Sequence, residues 1–102
     1  MFERVAILGV GLIGGSFGLA LRTRGLAAEV VAYSRMPSTR ESAVALGAAT
    51  SAAESPEACV DGADLVYLAT PVDAVLPTLM RLLPHLRPGC LVTDAASSKQ
   101  LV

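Results

Sequence analysis

Val5-Ala6-Ile7-Leu8-Gly9-Val10-Gly11-Leu12-Ile13-Gly14-Gly15-Ser16-Phe17-Gly18 reads as a strand, a tight turn and the opening of a helix. Four apolar residues, Val5 to Leu8, have the character of a buried strand. Glycines then fall at 9, 11 and 14, and an apolar helical pattern begins at once. The spacing is G-x-G-x-x-G in the strand–turn–helix setting in which that pattern cradles a dinucleotide. Gly9 permits the turn out of the strand, Gly11 lets the backbone approach a pyrophosphate, and Gly14 lets the helix lie close against a sheet. The phosphates would sit at the helix N-terminus around Leu12 and Ile13, where unpaired N–H groups and the positive dipole end meet them.

Outward from this stretch, the spacing predicts a first helix from about Leu12 to Arg24, with Ile13, Phe17, Ala20 and Leu21 facing the sheet and Gly25 as its C-terminal cap. Strand two is Val30 to Tyr33. The polar loop Ser34-Arg35-Met36-Pro37-Ser38-Thr39-Arg40 opens a second helix, capped by Ser38 or Thr39 and running to Gly47. A short strand is expected near Thr50 and a short helix over Pro56 to Val60. Leu65 to Leu68 is a continuous apolar run, as a buried parallel strand should be. Thr70 suits an N-cap with Pro71 at the first helical position. Pro77 predicts a break, with a turn over 71–75 and a separate helix from Pro77 to Leu83. Cys90 to Thr93 is strand five, and Asp94 begins the next loop.

Strands alternating with helices imply an α/β fold, a Rossmann-type doubly wound parallel sheet that is truncated here after its fifth strand. In the usual strand order for this class, strands one and four are neighbours. Their carboxyl ends, Gly9-Val10-Gly11 and Ala69-Thr70-Pro71, would then flank the crevice in which ligands bind.

With 102 residues, the chain is one domain or part of one, and its 53% hydrophobic content is ample for a core. A formal net charge of −1 offers no bulk attraction to nucleic acid or an anionic membrane. The uncharged run from Val5 to Leu21 is shorter than the roughly 20 apolar residues of a membrane span and is broken by glycines. It shows no small-residue cleavage site either, so a soluble, cytoplasmic protein is expected. Cys59 and Cys90 form no metal or redox motif; free thiols and no metal site are expected. Lys99-Gln100-Leu101-Val102 resembles the start of a further helix, and the chain is expected to be the cofactor-binding part, residues 1–102, of a larger enzyme.

About twenty residues past the last fingerprint glycine, an NAD site carries an acid for the ribose 2′-hydroxyl. Here that position is Ser34, followed by Arg35. A hydroxyl and a guanidinium suit a 2′-phosphate, which a carboxylate would repel, so NADP is expected over NAD. Ser38, Thr39 and Arg40 are further donors on the same loop. Read without a ligand, the segment is a solvated loop with two surface arginines and a helix cap.

Gly11-Leu12-Ile13-Gly14-Gly15-Ser16-Phe17-Gly18-Leu19-Ala20-Leu21 resembles the first motif of prephenate and arogenate dehydrogenases. Leu68-Ala69-Thr70-Pro71-Val72 is similar to their strand-four loop, and Val92-Thr93-Asp94-Ala95-Ala96-Ser97-Ser98-Lys99 to their strand-five motif. The resemblance covers nearly all of the chain, with one departure at Ala96, where glycine is common. It implies oxidative decarboxylation in tyrosine biosynthesis, an aromatic amino acid pathway, with hydride passing to a nicotinamide. It also implies a serine that orients the substrate hydroxyl, matched by Ser97, and a histidine general base lying beyond Val102. A helical domain, also outside this chain, would complete the prephenate or arogenate pocket and form a homodimer.

His85, the only histidine, precedes strand five and is expected at the end of the sheet opposite the crevice. Asp94 is placed either to contact the nicotinamide side or to cap the next helix. Asp73 is expected to serve the first turn of its helix, and Lys99 to be solvated. Two other readings compete. One is a related β-hydroxyacid or imine-type reductase, whose members often follow strand two with Asn-Arg-Thr. The other is a non-catalytic dinucleotide sensor.

Overall fold

Strands and helices alternate throughout the computed structural model, which describes residues 2–9 and 12–94. The order is β1 (Phe2–Leu8), α1 (Leu12–Thr23), β2 (Ala27–Tyr33), α2 (Pro37–Ala45), β3 (Ser51–Ala52), α3 (Pro56–Val60), β4 (Leu65–Leu68), α4 (Val72–Leu82) and β5 (Leu91–Asp94), with a 3₁₀ turn over Leu83–His85. The sheet has the order β3-β2-β1-β4-β5 and every pairing is parallel. This is the expected Rossmann-type architecture. Leu8 pairs with Tyr33 on one side and Leu68 on the other, and Leu68 pairs with Asp94, so four strands end level.

Val5, Ala6, Ile7 and Leu8 are each no more than 2% exposed because helices cover both faces of the central strand. The alternation of the strand sends Val5 and Ile7 to one core, with Phe17 and Leu21 of α1 and Ala43 of α2. Ala6 and Leu8 go to the other, with Cys59 and Val60 of α3 and Val75, Leu79 and Leu82 of α4. Cys59 is a free buried thiol between the carbonyls of Ile7 and Val31, and burial pushes its pKa up to about 12. Cys90 is also free. No described helix is long and apolar enough to cross a membrane, and no metal-binding cluster occurs among the described residues.

α1 lies unusually close to the sheet because its buried stripe is Gly14, Phe17, Gly18 and Leu21. A Cβ at Gly14 would sit 3.0 Å from the Gly9 carbonyl oxygen, and one at Gly18 would collide with the Ala48 carbonyl oxygen. Phe17 stacks on Tyr67 with ring centroids 4.0 Å apart. Ala20 departs from expectation and is exposed, because at 100° per residue it falls beside the stripe that Phe17 and Leu21 define. The helix ends as expected at Gly25 (φ +65°), where Leu26 N–H donates to Leu21 O at 2.8 Å and Gly25 N–H to Arg22 O at 3.2 Å.

Three further expectations need correction. α2 begins at Pro37 with Met36 at its N-cap and no side-chain cap, so Ser38 and Thr39 lie inside the first turn instead of closing it. Pro71, not Thr70, is the N-cap of α4, because the chain bends at Thr70 after leaving β4 and enters the helix one residue later. α4 also runs unbroken through Pro77. Pro77 lacks the N–H that would reach the Asp73 carbonyl, but both residues are exposed, so water can take that carbonyl. Packing of Val75, Leu79 and Leu82 on the sheet holds the helix together across the gap. Elsewhere the boundaries shift slightly: β1 and β2 start three residues early, with Phe2 paired to Ala27, and β5 takes in Asp94.

Candidate functional site

The level strand ends create a cleft of about 540 Å³ above β1, β2 and β4. Its floor is Leu8 and Gly9. Gly9 has φ +83°, a conformation that only glycine adopts readily, and its N–H donates to the Tyr33 carbonyl at 2.9 Å. A Cβ on Gly9 would sit 3.0 Å from the Ala69 carbonyl and 3.1 Å from Thr70 Cγ2. The turn therefore needs glycine twice, for its dihedral angle and for the closeness of the two loops.

One wall is the loop after β2, Ser34 to Met36. Ser34 Oγ accepts a 3.3 Å bond from the Met36 N–H, and the Ser34 carbonyl accepts one of 3.1 Å from Arg40 Nη1. The Arg40 guanidinium also lies over the Tyr33 ring, 5.8 Å from its centroid, so it braces the loop from α2. Arg35 is exposed at the cleft edge. Among the described residues no carboxylate lines the cleft at this strand end, and Asp73, on the cleft wall, belongs to the first turn of α4.

The opposite wall is Ala69-Thr70-Pro71 and one face of α4, formed by Ala74, Thr78 and Arg81. Thr70 Oγ1 is buried and has no hydrogen-bond partner among the described residues. A buried hydroxyl left so costs about 1–3 kcal/mol, which a polar group entering the cleft would recover. Arg81 makes a bidentate pair with Glu57 of α3, through Nε and Nη2. The Arg81 hydrogen bonds hold the Glu57 carboxyl below its ordinary value, and Glu57 in turn raises Arg81.

The structure thus brings Gly9, Ser34, Arg35, Thr70 and Pro71 to one cleft. Gly14 serves the packing of α1 behind it. Leu12 and Ile13 open α1 at the cleft end of β1, and their side chains lie outside the described residues, as do Gly11 and Ser97. Ser38 and Thr39, expected as ligand donors, are on α2 and do not line the cleft. Asp94 closes β5 beside Leu68 and contributes, after burial, to an upward shift of the Tyr67 phenol. His85 is exposed, before β5 and off the cleft, as expected. Sequence reasoning missed Met36, Thr78 and Arg81. The signal for the last two was available: Ala74, Thr78 and Arg81 recur at i, i+4 and i+7, a face that appears only when α4 is read as one helix.

A family model described as prephenate dehydrogenase, nucleotide-binding domain, matches residues 17–102. Over 99 residues the chain is 30% identical to a cyclohexadienyl dehydrogenase of Zymomonas mobilis subsp. mobilis, covering 97% of this chain and 34% of that protein. The structure of Synechocystis arogenate dehydrogenase superposes with a TM-score of 0.85 at 38% identity, covering 93% of this chain and 33% of that one. Prephenate dehydrogenase from A. aeolicus, solved with hydroxyphenyl propionate and NAD+, gives 0.83 at 31% identity, over 92% of this chain and 33% of that one. The chain spans about a third of the length of each of these relatives.

Proposed function

From the premise that this chain belongs to the prephenate dehydrogenase family, through that family's nucleotide-binding domain, we propose that it is the NADP-binding part of a prephenate or arogenate dehydrogenase. The observation that carries the cofactor reading is the end of β2, where Ser34 and Arg35 face the cleft and no carboxylate stands to read a ribose hydroxyl. The close turn at Gly9 and the orphaned Thr70 hydroxyl fit a dinucleotide laid across the strand ends.

When bound, the oxidised nicotinamide supplies a hydride acceptor for the ring carbon that bears the substrate's 4-hydroxyl. The substrate carboxylate leaves as carbon dioxide and the ring becomes aromatic. This chain's own residues bind and orient. The N–H groups that open α1 at Leu12 and Ile13 would hold the pyrophosphate beside the Gly9 turn, with the helix dipole adding to the attraction. Ser34 and Arg35 hold the 2′-phosphate, while Ser38 and Thr39, in the first turn of α2, serve the helix that carries this loop. The Thr70 hydroxyl would hold a polar group of the cofactor, and Asp94, at the end of β5, would orient its nicotinamide end. Ser97 orients the substrate hydroxyl. The histidine base, the rest of the substrate pocket and a homodimer interface come from the remainder of a cytoplasmic full-length protein.

Calorimetric titration with NADP and NAD tests this reading. NADP should bind at least tenfold more tightly, and Arg35→Ala should remove most of that margin, as loss of a charge-assisted phosphate contact worth about 1.5–3 kcal/mol would. A preference for NAD would overturn the cofactor assignment. Full-length protein that fails to turn over both prephenate and arogenate would overturn the activity.

A further inference from the structure

Arg81 is the residue of the cleft that neither the glycine fingerprint nor the strand-end motifs account for. It lies on α4, across the cleft from Ser34 and Arg35. Its position is set by Glu57, which takes Nε and Nη2 in a planar fork. The rest of its five N–H donors have no hydrogen-bond partner among the described residues, and its side chain is 60% exposed against 28% for Glu57. The carboxylate is therefore the more enclosed member of the pair, and the guanidinium is presented outward on the cleft wall. Tyr33, at the end of β2, lines the same cleft as Arg81. Arg40 approaches the Tyr33 ring, and Arg35 follows one residue after Ser34. Arg35 and Arg81 thus line the cleft from opposite walls, Arg40 braces the loop between β2 and α2, and Glu57, the carboxylate beside Arg81, is already engaged by it.

We infer that Arg81, anchored by Glu57, is a specificity-determining residue for a phosphorylated ribose. It donates to the same 2′-phosphate as Arg35, from the opposite wall of the cleft. The inference rests on the NADP reading and deepens it by adding a contact from α4. Arg40 acts differently: its guanidinium is spent on the Ser34 carbonyl and the Tyr33 ring, so it shapes the loop. A purely structural role for the Arg81–Glu57 pair, tying α4 to α3, would leave ligand discrimination unchanged.

The test uses the adenosine half of the cofactor alone, with 2′,5′-ADP and 5′-AMP as probes, titrated calorimetrically into the wild-type chain, Arg35→Gln, Arg81→Gln and Arg81→Lys. Wild type should prefer 2′,5′-ADP. Arg81→Gln should weaken 2′,5′-ADP about five- to tenfold and 5′-AMP less than twofold, with Arg81→Lys recovering part of the loss. Equal weakening of both probes, or of neither, would overturn the inference. If wild type shows no preference, the NADP reading itself fails. If Arg35→Gln abolishes the preference while Arg81→Gln retains it, only the role of Arg81 fails. The Arg81→Lys variant keeps the question answerable should Arg81→Gln fold poorly.

Discussion

Gly15 and Gly18 lie three residues apart on α1, and identical substitutions there should have opposite effects. A Cβ at Gly15 would meet nothing within 4 Å, whereas one at Gly18 would run into the Ala48 carbonyl oxygen and come within 3.1 Å of Ile7 Cδ1. Gly15→Ala gains helix propensity without a clash and should stabilise the chain by about 0.5–1 kcal/mol. Gly18→Ala gains the same propensity but pushes the helix off the sheet, where overpacking costs about 1–3 kcal/mol. Urea denaturation midpoints should move upward for the first and downward for the second. A rise for both would mean that α1 is not seated as closely as described. At this scale the sequence spoke clearly for Gly9, whose turn follows directly from an apolar strand. It placed Thr70 beside the crevice but gave it the role of a helix cap, because its orphaned hydroxyl depends on how the loop leaves β4.

Among the elements, α4 shows how a local rule can be overruled. An internal proline ordinarily marks a break, and Pro77 suggested a turn over 71–75 and a separate helix from Pro77 to Leu83 in place of one helix. The observed helix, Val72–Leu82, survives because the lost hydrogen bond falls on its exposed side while Val75, Leu79 and Leu82 are held by the sheet. Pro77→Ala should therefore restore a bond to the Asp73 carbonyl and stabilise the chain by about 1–2 kcal/mol, less than the full proline penalty because alanine also frees the unfolded chain. Thermal unfolding would register this as a higher midpoint, and a lower one would show that Pro77 is needed where it stands. The misreading of α4 also hid the Ala74–Thr78–Arg81 face, so one error about an element cost Thr78 and Arg81 of the cleft wall. In contrast, α3 and β4 matched the expected Pro56–Val60 and Leu65–Leu68, because proline, the Ser55 cap and an unbroken apolar run act over a few neighbouring residues.

The molecule as a whole is tied together at the end of the sheet opposite the cleft by Asp64. Its carboxylate accepts the Glu3 N–H at 3.0 Å and the Arg4 N–H at 2.9 Å, while its backbone bonds to Arg4 and Leu91. Partial burial pulls its pKa upward, but the combined N–H bonds outweigh this and hold the carboxyl below the ordinary aspartate range. A carboxyl depressed on folding contributes stability that is present above its unfolded pKa and is lost as pH falls through the lowered folded value. Asp64→Asn should cost about 1–2 kcal/mol at neutral pH. It should also reduce the loss of stability on acidification below about pH 4. Denaturant titrations at pH 7 and pH 3 would check this; equal losses for the variant at both pH values would show that the carboxylate charge contributes nothing.

The sequence by itself determined the alternation of strand and helix, the glycine turn after β1, the parallel order that follows from it and the missing acid after Tyr33. Each is a property of a few adjacent residues or of an apolar period, and such signals survive without knowledge of what packs where. Only the tertiary structure decided that α4 is one helix, that Ser38 and Thr39 stand away from the cleft, and that Arg81 and Glu57 meet across 24 residues of chain. Those outcomes depend on which face of an element the sheet covers and how closely two loops approach. Both are set by the packing of distant segments, and no local pattern encodes them.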